Sequence, residues 1–538
     1  MTPRRSAALS TVLGVLALTF LDTTIVSVTL GNIQYHLGSG VIPLQWVINA
    51  YSLAFAGLML LAGSLSDRYG RKSFMVGGIV VFCAGSLLCA LAPSVGWVIA
   101  GRAVMGVGAA ASEPGTLSVI RQLFPDRAQR ARALGGWAAV SGLSLALGPV
   151  LGGVLVAVGD WRDVFWFNLV AGIVLLAATL RWVPNSADPQ TGRIDTEGFA
   201  LGTVALVCLI FGGITGEQYG YGRPWIIALF AVSGLCFVAF VMVERRATNP
   251  MLDLRYLRNP AIGVALFVAF AVYFGVFSIF FLTALYLDVI VGYSGGRLAL
   301  LFVPMAVAIV LGSLGSGRWV ARVGARWPMV TGCLLGAAGV VVARYLLTTT
   351  PSFGWLTAAV ALAGLGFGIA VVPLTSAVLG HVPAARSGMA ASTTNTARQL
   401  GSVVGVAALG AIVNGYLRSD FGASLRASSG SSGQIDYIIG LLETGGPAAK
   451  GIDLAHPPQL IKALVDAAAA AFRVGMHIAL WVSAGLILAA AVATLLVPRR
   501  AMAPDAEVDQ MDEVDQLTST GSTSAGSAPP STASTGTE

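Results

Sequence analysis

The chain has 538 residues, of which 56% are hydrophobic and only 11% are charged, and its formal net charge is +7. Soluble domains average about 25% charged residues, so this composition excludes a water-soluble globule and requires a lipid environment. The positive charge does not indicate nucleic-acid binding, because the basic residues recur in short loops between apolar runs rather than in one patch.

Apolar runs long enough to cross a bilayer, about 20 residues each, recur along the whole chain. They predict fourteen spans: 8–30, 44–64, 73–92, 97–118, 133–157, 163–181, 197–216, 224–243, 260–287, 298–317, 327–347, 353–379, 397–417 and 474–497. Most bases, Arg386 and Arg398 among them, fall in alternate loops or at the termini, whereas the short loops of the opposite side hold Arg162, Arg223 and Arg297. The predicted fold is therefore an all-α polytopic membrane protein with both termini in the cytoplasm, N-in and C-in.

The first predicted span contains an acidic residue, Asp22, about fourteen residues from its start. A carboxylate at that depth costs several kcal/mol unless it is paired, protonated or hydrated, so Asp22 is expected to face the protein interior. Two interpretations remain open. Asp22 either couples transport to protons or senses cations, or it only pairs with a base and locks the packing of the helices.

The second and third spans are joined by a polar link, Gly63-Ser-Leu-Ser-Asp67-Arg68-Tyr-Gly70-Arg71-Lys72. So short a link forms a tight hairpin, and its bases must lie in water. The link resembles, at every specified position, the signature G-x-L-x-D-R-x-G-R-K between helices 2 and 3 of the major facilitator superfamily. The resemblance implies a cytoplasmic gate formed by Gly63, Asp67, Arg68, Gly70 and Arg71.

The fourth span carries Arg102, Glu113 and Pro114. Eleven residues return Glu113 to within about 20° of the Arg102 face, about 16 Å farther along the axis. A buried guanidinium needs an anion or carbonyl groups, and Asp22 lies at a depth comparable with Arg102, so the two are expected to pair or to exchange partners. Pro114 can loosen the helix beside Glu113. Glu113 is a candidate proton carrier; alternatively, it is a hydrated carboxylate near the cytoplasmic mouth.

The fifth span contains Ser144-Leu-Ala-Leu-Gly148-Pro149-Val-Leu-Gly152-Gly153. The G-x-x-x-G spacing of Gly148 and Gly152 lets another helix approach closely, and Pro149 predicts a kink. The segment resembles the antiporter signature of the superfamily, except that Ser144 replaces the usual leading glycine. The resemblance implies a hinge helix with Gly148, Pro149, Gly152 and Gly153 at the hinge. It is followed by Trp161-Arg162-Asp-Val-Phe-Trp-Phe-Asn168, which is also similar to a family segment.

The chain contains an internal repeat. Residues 317–326 resemble the 63–72 link, with Ala321 in the place of Asp67. The spacing predicts an N-terminal six-helix bundle at 1–183 and a C-terminal six-helix bundle at 259–500, with two extra helices and linkers at 184–258 between them. Residues 418–473 are predicted to form a long outer loop with a short helix near its end. Residues 501–538 lack apolar content and are predicted to be a disordered cytoplasmic tail.

Two further stretches, Leu44-Gln-Trp46-Val-Ile-Asn49-Ala-Tyr51 and Asn395-Thr-Ala-Arg398-Gln399, complete a resemblance to the fourteen-helix drug:proton antiporter family (QacA/EmrB type). This implies export of small amphipathic drugs across the bacterial cytoplasmic membrane by alternating access, with Asp22 and Arg102 in the proton-coupling motifs and Glu113 as an additional candidate. The candidates for the substrate cavity are Trp46, Asn49, Tyr51, Asn395 and Gln399. Expected partners are the lipid bilayer, a small-molecule substrate and protons, and the protein is expected to be a monomer.

The sequence contains no Walker loop, metal-ligand cluster or nucleophile motif. We therefore expect no enzyme activity, no metal and no cofactor, with the proton gradient as the energy source. Two alternative functions remain at this stage. One is export of an endogenous metabolite or lipid. The other is a non-transporting membrane scaffold that delivers cell-envelope precursors and docks through the 418–473 loop.

Overall fold

A computed structural model describes residues 3–39, 41–185, 196–247, 252, 254–293, 295–383, 386–416, 459–498 and 501–502. All regular elements in these segments are helices. They are α1 Pro3–Ile25, a 3₁₀ turn Val26–Thr29, α2 Leu30–Leu37, α3 Val41–Tyr69, α4 Arg71–Ala90, α5 Val95–Leu123, α6 Arg127–Val158, α7 Arg162–Trp182, α8 Thr196–Tyr219, α9 Pro224–Arg246, α10 Leu254–Leu257, α11 Pro260–Val289, α12 Gly295–Val323, α13 Arg326–Leu346, α14 Phe353–Gly380, α15 Ser387–Tyr416 and α16 Gln459–Leu496.

The apolar character of these helices confirms a polytopic membrane protein. Within the described segments, 12 helices are long and apolar enough to cross a membrane. The number rises to 13 if the bent pair Arg127–Leu145 and Val150–Val158 counts as one span, and Pro260–Val276 is a shorter apolar helix. The predicted count of fourteen spans and the N-in/C-in topology stay predictions.

One error in the predicted spans concerns the start of α15. The helix begins at Ser387, ten residues before the predicted start at 397. Its first turns contain polar Ser and Thr residues, so the apolar run that predicted the span starts later than the helix. Their hydroxyls instead donate to carbonyl oxygens three or four residues earlier in the same helix, as Thr393 does to Met389 O at 2.8 Å, so these polar groups need no water.

The predicted outer loop at 418–473 is partly helical. Its final residues belong to α16, which runs without interruption from Gln459 to Leu496 and includes both the predicted short helix and the last predicted span. Residues 417–458 and 503–538 lie outside the described residues, as do 186–195 of the linker. The proposed domain boundaries therefore stay predictions.

The two halves repeat the same close helix pairing. A Cβ built on Gly108 of α5 would lie 2.6 Å from Gly78 O of α4, and one built on Gly332 of α13 would lie 2.8 Å from Gly366 O of α14. Real Cβ atoms do not approach oxygen this closely, so each pair depends on glycine at the crossing. The equivalence agrees with the internal repeat in the sequence.

The halves meet where α6 packs against α12 and α3 packs against α15, and α8 packs on both α3 and α15. On the α6–α12 seam, a Cβ on Gly135 would lie 2.9 Å from Ser313 O, and one on Gly317 would lie 2.6 Å from Ala131 O. These close approaches lie near the ends of the helices that are predicted to face the cytoplasm. The structure thus represents a conformation in which the inner ends of the two bundles touch.

Candidate functional site

The first charge centre lies inside the N-terminal bundle and consists of Asp22, Tyr51, Arg102 and Asn168; we call it the outer charge centre. Arg102 Nη1 donates to Asp22 Oδ2 at 2.5 Å, and Asn168 Nδ2 donates to Asp22 Oδ1 at 2.7 Å. The Arg102 guanidinium lies 4.3 Å from the centre of the Tyr51 ring. All four residues are completely buried, so the depth argument that placed Asp22 in the interior agrees with the structure.

These contacts join four helices, because α1, α3, α5 and α7 each contribute one of the residues. Arg102 Nε also donates to Val47 O at 3.0 Å, and the Tyr51 hydroxyl donates to Thr19 O at 3.1 Å. Removing one partner of such a buried pair typically costs about 3–5 kcal/mol, since the other charge is left uncompensated. The centre can therefore brace the bundle, and its carboxylate is the one group in it whose charge a proton can cancel.

Asn168 was not predicted as a partner of Asp22. It is the last residue of the Trp161-to-Asn168 segment, which resembles a segment of the family, and that resemblance was the only signal in the sequence. Tyr51, in contrast, was predicted to line a substrate cavity. It lies in the outer charge centre, where its ring covers Arg102.

A second centre lies on the seam between the bundles and consists of Glu113 on α5, Trp137 on α6, Tyr273 on α11, and Asn395 and Arg398 on α15; we call it the inner charge centre. The Arg398 guanidinium lies 5.0 Å from the Trp137 ring centre and 5.7 Å from that of Tyr273. Arg398 Nη1 donates to Asn395 Oδ1 at 2.7 Å, and Glu113 is within electrostatic range of Arg398. Glu113 is only 1% exposed and Arg398 only 2%.

The burial of these two residues departs from the sequence interpretation. In this conformation Glu113 is not a hydrated carboxylate at the cytoplasmic mouth, because its side chain is buried. Arg398 was grouped with the bases on the cytoplasmic side, which was wrong because α15 begins eleven residues before it. At 1.5 Å per residue, Glu113 lies about 15 Å from the inner end of α5 and Arg398 about 16 Å from that of α15, so the two stand at the same depth.

Three polar atoms of the inner charge centre have no hydrogen-bond partner within the described structure. They are one acceptor, Glu113 Oε2, and two donors, Arg398 Nε and Asn395 Nδ2. Buried polar groups are nearly always paired, and an unpaired one calls for an explanation such as a bound molecule. The inner charge centre therefore has the features of a binding site between the two bundles.

The third group is the predicted cytoplasmic gate. Asp67 at the end of α3 accepts hydrogen bonds from the backbone N–H groups of Gly388 at 2.9 Å and Met389 at 3.0 Å, at the start of α15. Arg71 holds the same carboxylate through Nε at 3.1 Å and Nη2 at 3.0 Å. A carboxylate at a helix N-terminus is stabilised by the unpaired N–H groups and the helix dipole. Asp67 thus joins the two bundles directly.

The glycines of the 63–72 link allow this joint. A Cβ on Gly63 would collide with Ser392 and with Gly388 O, so α3 and α15 approach only because Gly63 has no side chain. Gly70 turns the chain between α3 and α4 with a φ of 95°, a conformation that favours glycine. Arg68 lies over the neighbouring Tyr69 ring, 5.6 Å from its centre.

The predicted hinge lies where α6 bends. The axis changes direction by 42° between the segments Arg127–Leu145 and Val150–Val158, which brackets Pro149. On the side facing α1, a Cβ on Gly148 would lie 2.9 Å from Ile25 N, and one on Gly152 would lie 2.6 Å from Ile25 O. A Cβ on Gly153 would meet nothing within 4 Å. Gly148 and Gly152 therefore serve helix contact, and Gly153 does not.

The five residues predicted to line a substrate cavity do not share one place. The Trp46 ring packs against Phe211 of α8 at 5.4 Å, Asn395 belongs to the inner charge centre, and Asn49 and Gln399 are half-buried. Their role in substrate binding stays a prediction. Within the described part of the chain, no group of three or more His, Cys, Asp or Glu side chains could hold a metal ion.

Comparison with known proteins gives consistent results. The profile of the Major Facilitator Superfamily matches residues 12–406. The chain is 34% identical to the puromycin resistance protein pur8 of Streptomyces alboniger over 82% of this chain and 90% of that one. It is 30% identical to the multidrug efflux pump LfrA of Mycolicibacterium smegmatis over 93% and 97%, and 33% identical to the multidrug resistance protein Stp of Mycobacterium tuberculosis over 74% of each.

Among solved structures, the human organic anion transporter MFSD10 (TETRAN) superposes with a TM-score of 0.58 over 90% of this chain and 100% of its own, at 14% identity. At this identity the likeness concerns the fold alone.

Proposed function

Because the chain belongs to the major facilitator superfamily, we propose that it is a proton-coupled antiporter that exports small amphipathic drugs by alternating access. It is a multi-pass protein of the bacterial plasma membrane, and its relatives are transporters rather than enzymes. Drug exporters of this superfamily work without a cofactor. The observation that carries the proposal is the completely buried Asp22–Arg102 pair in a bundle whose inner end is latched to the opposite bundle.

The proton step is assigned to Asp22. A proton that binds one oxygen of the carboxylate cancels its charge and removes most of its attraction for Arg102. Arg102 remains held by Val47 O and the Tyr51 ring, so the weakened contact is the one between α1 and α5. Loss of a charged contact between two helices changes how they pack, which gives protonation a route to the conformation of the bundle.

The conformational step is a rocking of the two bundles about the seams α6–α12 and α3–α15. In the structure the inner ends of both seams are closed, and Asp67 holds the second of them. Release of Asp67 from the start of α15 is required to admit a substrate from the cytoplasm. The bend and close packing of α6 on α1 at Gly148 and Gly152 connect this seam helix to the helix that carries Asp22.

The test uses purified protein in proteoliposomes with a pH gradient. Asp22→Asn should abolish drug-dependent proton movement while the protein still elutes as a folded species, and Asp160→Asn at the outer end of the bundle is the matched control. An unchanged rate would remove Asp22 from the mechanism.

The same question is asked in cells. A pump-deficient host carrying the chain should tolerate higher concentrations of several amphipathic drugs, and an uncoupler should remove the tolerance. Tolerance that persists with the uncoupler would contradict proton coupling. A chain that confers no tolerance and moves no drug in proteoliposomes would instead support the scaffold alternative.

A further inference from the structure

We propose that the inner charge centre is the substrate-binding site and that it selects aromatic substrates with anionic or hydrogen-bond-accepting groups over lipophilic cations. The inference rests on the proposed function, since it names the substrates of that exporter. Both bundles contribute to the centre: Glu113 and Trp137 come from the N-terminal half, and Tyr273, Asn395 and Arg398 come from the C-terminal half. A ligand held there contacts both halves, as alternating access requires.

The aromatic faces of the centre are already occupied by a cation. Arg398 lies near the faces of Trp137 and Tyr273, at 5.0 and 5.7 Å from their ring centres. Aromatic faces attract cations, and such rings recognise cationic ligands when they are free. Here the protein's own guanidinium takes that position. A lipophilic cation would have to displace Arg398 or lie beside it against charge repulsion.

Arg398 is fixed in this position by its neighbours. Nη1 donates to Asn395 Oδ1 at 2.7 Å, and Nη2 donates to the Thr375 hydroxyl of α14. Trp137 is fixed in turn, because its Nε1 donates to the Thr116 hydroxyl at 3.0 Å. The guanidinium and the indole are therefore preorganised, and a ligand gains contacts without first ordering them.

The unpaired atoms specify the chemistry of the ligand. The centre contains two unpaired donors, Arg398 Nε and Asn395 Nδ2, and one unpaired acceptor, Glu113 Oε2. A carboxylate, phenolate or carbonyl group can accept from both donors, and the aromatic part of such a ligand can pack against the rings of Trp137 and Tyr273, which are buried between the bundles. In the structure, the charge of Glu113 partly balances the charge of Arg398. An anionic ligand replaces that balance with a direct contact, whereas a permanent cation without donor hydrogens can satisfy neither donor.

Two xanthene dyes of similar shape and opposite charge test the inference. The dissociation constants of fluorescein, an anion, and rhodamine 6G, a cation, are measured by fluorescence anisotropy with the purified chain at one pH. We expect fluorescein to bind at least tenfold more tightly. Arg398→Gln should weaken fluorescein binding at least tenfold and reverse the preference. Arg344→Gln is the matched control, because Arg344 also lies over aromatic rings, 4.4 Å from Tyr345 and 5.2 Å from Trp481, but outside the seam.

Equal affinity for the two dyes, or a preference that Arg398→Gln leaves unchanged, would overturn the inference. If Arg398→Gln does not fold, Arg398→Lys replaces it, because lysine keeps the charge but lacks the Nε donor beside the guanidinium fork and should still weaken fluorescein binding. Proton-driven transport of both dyes separates the two proposals. Proton-dependent export of rhodamine 6G that is insensitive to Arg398→Gln retains the exporter and refutes this site. Arg398-dependent dye binding without any proton-driven transport retains the site and refutes the exporter mechanism.

Discussion

Replacing Asp67 by Asn should shift the protein towards a conformation with an open inner gate. In the structure the Asp67 carboxylate accepts two backbone N–H groups from α15 and two hydrogen bonds from Arg71. Asparagine is nearly the same size but has one acceptor oxygen and no charge, so at least one bond across the bundles is lost. These bonds exist only when the inner ends touch, and their loss therefore destabilises the closed state alone.

The magnitude follows from the kind of bond. A hydrogen bond to a charged group contributes about 1.5–3 kcal/mol. Because 1.4 kcal/mol corresponds to a factor of ten, loss of one such bond should change the ratio of closed to open protein by roughly 10- to 150-fold. Loss of the favourable interaction between the charge and the N-terminus of α15 acts in the same direction.

The assay measures access to Ser392, which is completely buried and lies against Gly63 at the gate. Ser392→Cys is introduced after the 5 native cysteines are replaced, and a membrane-impermeant maleimide is added to inside-out vesicles. Asp67→Asn should raise the labelling rate at least tenfold. Asp126→Asn is the control, because Asp126 also caps a helix, accepting from Gln129 N at 2.9 Å, but within one helix. Equal rates in the Asp67→Asn and parent proteins, or the same increase with Asp126→Asn, would refute the latch.

Three further predictions concern the other parts of the site. Gly152→Ala should lower the melting temperature, since its Cβ would lie 2.6 Å from Ile25 O and overpacking costs about 1–3 kcal/mol, whereas Gly153→Ala on the same helix should not; equal shifts would contradict the assigned contact. Asn168→Leu should leave the Asp22 carboxylate without one donor and cost about 1–3 kcal/mol, read as a lower melting temperature. Glu113→Gln should leave the charge of Arg398 unbalanced, so that repulsion weakens any transport of cationic substrates more than transport of neutral ones, and equal effects would argue against a role for its charge.

The sequence predicted most spans because hydropathy averaged over about 20 residues does not depend on side-chain geometry. It also predicted that Asp22 and Arg102 pair, since opposite charges buried at the same depth in the membrane find few other charged partners. Pro149 marked the bend of α6 for a similar reason, because a proline inside a helix removes a backbone hydrogen bond whatever surrounds it.

Other parts of the site could not be predicted, because they depend on backbone groups far away in the sequence or on where a helix begins. The partners of Asp67 are the N–H groups of Gly388 and Met389, more than 300 residues away, and backbone groups carry no sequence signature. Arg398 was grouped with the bases on the cytoplasmic side, because it lies at the start of the predicted span 397–417. The Ser and Thr hydroxyls before Arg398 instead donate to carbonyl oxygens of their own helix. These hydrogen bonds can be recognised only once α15 is known to begin at Ser387.

The internal repeat makes the inner gate asymmetric. Asp67 latches the α3–α15 seam through charge, whereas its counterpart in the second copy is Ala321, so the α6–α12 seam has no equivalent acid at that position. That seam closes by backbone contact instead, with Gly317 against Ala131 O. The Asp67 contacts are hydrogen bonds to a charged group, each worth about 1.5–3 kcal/mol, whereas the contact of Gly317 is van der Waals packing, in which a single atom pair contributes about 0.1–0.2 kcal/mol. We infer that separation of the α3–α15 seam controls the opening of the gate and that the α6–α12 seam separates after it.

Helix α5 contacts both charge centres and the opposite bundle, so it can link them to the opening of the gate. It carries Arg102 in the outer charge centre and Glu113 in the inner one, and near its inner end Arg121 donates to Leu379 O of α14 in the opposite bundle. Pro114 lies inside this helix between Arg102 and Arg121, directly after Glu113, and it removes one backbone hydrogen bond there. A proton on Asp22 weakens the contact between α1 and α5, while Val47 O and the Tyr51 ring still hold Arg102. The resulting change in how α5 packs on α1 acts on a helix that also carries Glu113 of the inner charge centre and Arg121, which contacts the opposite bundle. One helix thus contacts the proton-binding carboxylate, the inner charge centre and the opposite bundle.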